Sequence, residues 1–129
     1  MSYYLAATVD APFDETIERV ETALKTEGFG VLTRIDIQAT LKAKINADFR
    51  PYTILGACNP ALAHEALLLE DKVGTMLPCN VVVQQKSDGT VEVAAVDPVA
   101  SMQSIDNPDL KKAASAVREK LARVIASLG

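Results

Sequence analysis

The sequence predicts an α+β domain: one mixed, largely antiparallel sheet of about five strands packed against three to four helices. Three observations carry this prediction. Apolar residues recur at steps of two in some segments and at steps of three and four in others, so strands and helices alternate. Asp88-Gly89 gives a hairpin signal between two β-branched runs. Helical segments join the remaining strands, so helical crossovers and a hairpin serve one sheet. The 129 residues fit one domain, residues 1–129, with an apolar content of 49% that supports a core without metal or disulfide.

Taken in order, "YYLAATV" at 3–9 is rich in aromatic and β-branched types and reads as a strand. A helix follows from Pro12 to Glu27, because Phe13, Ile17, Val20 and Leu24 fall on one face. Asp14 and Glu15 suit its positive end, and Gly28 is a natural left-handed stop. Phe29, Val31, Thr33 and Ile35 alternate as a half-buried strand. Asp36 can cap a short helix carrying Ile37, Leu41 and Ile45 at steps of four. "PYTILGAC" at 51–58 reads as a strand with Pro51 at its start, and Asn59-Pro60 opens a helix that runs to about Asp71. "NVVVQQ" and "TVEVAAV" form the hairpin, and the valine run suggests a central strand covered on both faces. After a connection at 97–106, with Met102 and Ile105 as packing contacts, Asn107-Pro108 opens the last helix. Leu110, Ala114, Val117, Leu121, Val124 and Leu128 give that helix one apolar stripe.

Charge narrows the function classes. The net charge is −4 with a pI near 4.9, and no block of like charges occurs. The densest basic set, Lys111, Lys112, Arg118, Lys120 and Arg123, reads as a solvated helix face rather than a nucleic-acid surface. No window reaches the ~20 apolar residues of a membrane span. "MSYYLAATVD" lacks the cationic start of a secretory signal. The expectation is a cytoplasmic chain with reduced thiols, no nucleic-acid partner and no membrane partner.

Chemistry concentrates in two short words, "GACNP" at 56–60 and "LPCNV" at 77–81, which hold the only two cysteines. Cys58 ends a strand one residue before a helix cap, where unpaired N–H groups favour a thiolate or a bound anion. Cysteine is also among the most buried residue types, so a plain core role stands beside that reading for both Cys58 and Cys79. Asn59 is explained as a cap. Asn80, at the mouth of the valine run, must find hydrogen-bond partners. His64, the sole histidine, lies four residues past Pro60 and with two thiolates would leave a zinc site one ligand short, so a surface position is the better reading. No Gly-rich phosphate loop, GxSxG or HExxH is present, and whether the chain is an enzyme stays open.

The runs "YTILGACNPALAHEAL" and "GTMLPCNVVV" resemble the uncharacterised family known as domain of unknown function number 302. The resemblance covers nearly the whole chain. It implies a small cytoplasmic or exported α+β domain and a homodimer, and it lends a fold without a reaction. Cys58, Asn59, Pro60, Pro78, Cys79 and Asn80 match its signature words and form the candidate ligand-binding set. The expected function is a dimeric binding domain with a small-molecule or metal pocket at those residues, its ligand and cofactor unspecified. A purely structural domain and a thiol redox or sulfur-handling protein are the alternatives.

Overall fold

Strand alternation sorts one sheet into two faces of unequal fate. The computed structural model describes residues 2–129. Five strands, β1 (Tyr4–Val9), β2 (Gly30–Asp36), β3 (Tyr52–Cys58), β4 (Cys79–Gln85) and β5 (Val91–Val96), form a sheet in the order β1-β5-β4-β3-β2. Every neighbouring pair is antiparallel, so the mixed character the sequence allowed is absent from the sheet. The hairpin between β4 and β5 closes where expected. Gly89 takes φ +88 there, and Asp88 Oδ1 accepts from the Thr90 backbone N–H at 3.0 Å.

The long helices α1 (Phe13–Thr26) and α5 (Pro108–Leu128) cover one face. Ile17, Val20 and Leu24 of α1 and Leu121, Val124 and Ile125 of α5 meet Leu55, Ala57, Val81, Val83 and Val93 of the sheet in the main core. These stripes are the ones that the 3.6-residue period places on a single side. A second, smaller core gathers Ala66 of α3 (Pro60–Leu69), Val73 of a 3-10 turn (Asp71–Met76), Met102, and Leu110 and Ala114 of α5. The 97–106 connection contains a one-turn helix, α4 (Pro98–Ser101), capped by Asp97.

Two expectations are corrected. Val31 and Thr33 do not share a face, because a bulge between them shifts the register against β3. Beyond it the pairing of Arg34 with Leu55 turns Arg34 toward the helices, where it meets Glu21 at 3.9 Å, and turns Thr33 and Ile35 to the opposite face. Second, β4 is the central strand but is covered on one face only. Val82 pairs laterally with Ile54 and Ala94, Ile54 with Ile35, and Ala94 with Ala6. An apolar row therefore crosses all five strands on the side away from α1 and α5. Helix α2 (Ile37–Ile45), capped by Asp36 as predicted, buries no residue, and its Ile45 is 69% exposed.

Candidate functional site

The two cysteine words meet because β3 and β4 are neighbours. Ala57 and Cys79 are register partners, which leaves the Cα atoms of Cys58 and Cys79 on a diagonal of roughly 6 Å by strand geometry. Both cysteines line one cavity of about 40 Å³ at the seam between the two cores. Five alanines, Ala57, Ala63, Ala66, Ala113 and Ala114, contribute to its wall, and their small side chains leave the space open. That volume holds about three water-sized groups, since one needs on the order of 10–15 Å³.

Three X-Pro helix starts frame the cavity. Asn59 Oδ1 accepts from the Leu62 N–H at 3.3 Å and its Nδ2 donates to the Glu27 carbonyl at 3.4 Å, so one side chain starts α3 and ties it to the end of α1. Asn107 repeats the device, capping α5 and donating to the Leu69 carbonyl at 3.2 Å. Asp97, 4% exposed, caps α4 and accepts from Arg118 Nε of α5 at 2.9 Å. Arg123 of α5 likewise holds Glu27, pulling its carboxyl below the usual range through their hydrogen bond. Two cations of the basic helix are thus engaged in tying elements together.

Of the six candidate residues, Cys58, Asn59, Pro78 and Cys79 line the cavity. Pro60 is exposed at the first position of α3. Asn80 follows Cys79 by one residue and so faces the opposite side of the sheet, with Val82 and Gln84. His64 is exposed on α3. Cys79 is 7% exposed, and burial, reinforced by Cys58, pushes its thiol up from 9.0 to about 11. It is a neutral thiol at physiological pH. Among the described residues no buried side-chain nitrogen or oxygen lacks a partner, and no three of His, Cys, Asp and Glu converge. The wall therefore offers hydrocarbon and sulfur. Its third sulfur belongs to Met102, whose sequence signal amounted to one apolar residue in a connection.

The model of the family described as "Domain of unknown function DUF302" matches residues 5–128. The chain belongs to this family. A crystal structure of an uncharacterized conserved DUF302 protein from Bacillus stearothermophilus is similar over 100% of both chains, with 34% identity and a TM-score of 0.93. No curated protein matches the chain. DUF302 membership accounts for the fold. No helix among the described residues is long and apolar enough to cross a membrane.

Proposed function

We propose that this DUF302 chain is a single-domain cytoplasmic binding protein that acts as a homodimer and holds a small ligand or metal ion between Cys58-Asn59 and Pro78-Cys79. The observation that carries the reading is the cavity shared by both cysteine words. Its 40 Å³ restricts the ligand to an ion or a few heavy atoms, since pockets for drug-sized molecules run to about 300–1,000 Å³. Dimerisation is supported by the apolar row Ala6-Ala94-Val82-Ile54-Ile35 and by α2, which has no buried residue within one chain. An unpartnered apolar sheet face of this kind is what an isologous interface covers.

The test is native mass spectrometry of the chain isolated without oxygen from cells that make it. The wild type is expected to retain a bound species that Ala113→Val, filling the cavity, loses while keeping its fold. Equal retention by both proteins, or a bare wild type, sinks the reading. A second reading, a thiol redox pair, is supported by both cysteines lining the one cavity. Its check is whether a thiol oxidant joins Cys58 to Cys79 within one chain.

A further inference from the structure

We infer that the cavity is a low-coordinate site for a soft monovalent metal ion, copper(I), ligated by the thiolates of Cys58 and Cys79 and the thioether of Met102. The inference rests on the cavity being a ligand site and names what it takes. Three sulfur-containing residues, Cys58, Cys79 and Met102, line one small space, contributed by three separate elements: the end of β3, the start of β4 and the residue closing α4. No other chemistry competes there. The Asn59 amide is engaged at both ends by Leu62 and Glu27, and the remaining wall is largely aliphatic.

Coordination number decides among metals. Zinc requires about four ligands drawn from Cys, His, Asp and Glu or, in catalytic sites, three of these and a water, and hard cations require six or more oxygens. With no third His, Cys, Asp or Glu converging among the described residues, neither demand is met. Thiolate and thioether ligands select copper(I), and two or three sulfur atoms satisfy it. Loading releases two protons: copper(I) and two thiols give a bis-thiolate complex carrying one net negative charge, with no change in oxidation state. That charge forms one residue before the cap of α3, where the helix end is positive. The largely apolar wall offers water few hydrogen-bond partners beside the ion.

The experiment is anaerobic transfer of copper(I) from its bicinchoninate complex to the full chain, followed by competition and by thiolate-to-copper absorption in the ultraviolet. One copper per chain is expected for the wild type. Cys58→Ser and Cys79→Ser should each abolish the absorption band and transfer. Cys58→Ala and Cys79→Ala serve as folding controls, judged by circular dichroism. Met102→Leu should keep the stoichiometry and weaken affinity on the order of tenfold, the range seen when a supporting contact to a metal is removed. Zinc in parallel should bind more weakly than copper(I). Tighter zinc binding, copper transfer that survives loss of either cysteine in a folded variant, or an unchanged affinity in Met102→Leu overturns the assignment. If folded wild type takes no copper while native mass spectrometry shows another species displaced by Ala113→Val, the copper inference alone fails. If Ala113→Val loads copper as the wild type does, the cavity itself is not the site.

Discussion

Gly56 occupies the one place on β3 where a β-carbon has nowhere to go. Its backbone is not left-handed, so alanine meets no dihedral penalty, and the obstacle is steric. A β-carbon there would collide with Thr33 Oγ1 of β2 and come within 2.8 Å of Pro78 Cγ. The threonine can rotate, but the proline ring is fixed to the backbone beside Cys79. Overpacking of this kind costs about 1–3 kcal/mol, and the lower entropy of the unfolded alanine chain offsets about 0.4–1 of it. A net loss of about 1–2 kcal/mol is expected for Gly56→Ala. For 129 residues the unfolding entropy is about 0.27 kcal/mol/K, so Tm should fall by about 4–7 °C. Thermal unfolding by circular dichroism measures this, with Gly30→Ala as control because nothing lies within 4 Å of the β-carbon there. Displacing Pro78 should also raise the alkylation rate of Cys79. If Gly56→Ala melts within about 1 °C of the wild type and Cys79 stays equally protected, Pro78 is not wedged as described.

Four further expectations follow from the structure. The Cys79 thiol, near 11 when folded and 9.0 when unfolded, holds its proton more tightly in the native chain. Its contribution is therefore complete below pH 9.0 and lost as the pH climbs through about 11, amounting to about 2–3 kcal/mol at about 1.4 kcal/mol per unit. Urea melts across that range should show the decline in wild type and lose it in Cys79→Ala. At pH 8, iodoacetamide should modify Cys79 about a hundredfold more slowly than after unfolding, read by peptide mass mapping. Asn59→Ala removes both the α3 cap and the tie to Glu27 and should cost about 1–2 kcal/mol, with Asn107→Ala costing a similar amount for the same reasons. Chemical denaturation checks both. Finally, Val82→Asp places a charge in the middle of the apolar row and should turn a sedimenting dimer into a monomer without unfolding it. A wild type that sediments as a monomer at micromolar concentration removes the dimer from the proposal.

Much of the fold was legible because local signals agreed with the tertiary structure. The Asn59-Pro60 and Asn107-Pro108 pairs start helices as read, and the stripes of α1 and α5 face the core as their periods require. The bulge at Val31 was not legible, since Thr33 and Ile35 continue an unbroken alternation and only the partner strand reveals the slipped register. The uncovered side of β4 was hidden for a related reason. Valines at 81, 82 and 83 look alike whether the outer face meets a helix or is left bare. At the site, the nearness of Cys58 and Cys79 could be guessed from two similar words. The parity of Asn80 and the entry of Met102 depend on strand phase and on a turn 23 residues away in sequence from Cys79, and neither leaves a local mark. Ala114 was legible as part of the apolar stripe of the last helix; that it and Ala113 hold a space open depends on what stands opposite.

A high-resolution crystal structure of the chain, purified and frozen without oxygen, would decide whether the two cysteines share one ligand. Non-protein density touching both Cys58 and Cys79 and bounded by Met102 is the expected finding. An empty seam, with the sulfur atoms turned away from each other and the alanine wall collapsed onto Leu62, would leave the cysteines as ordinary core.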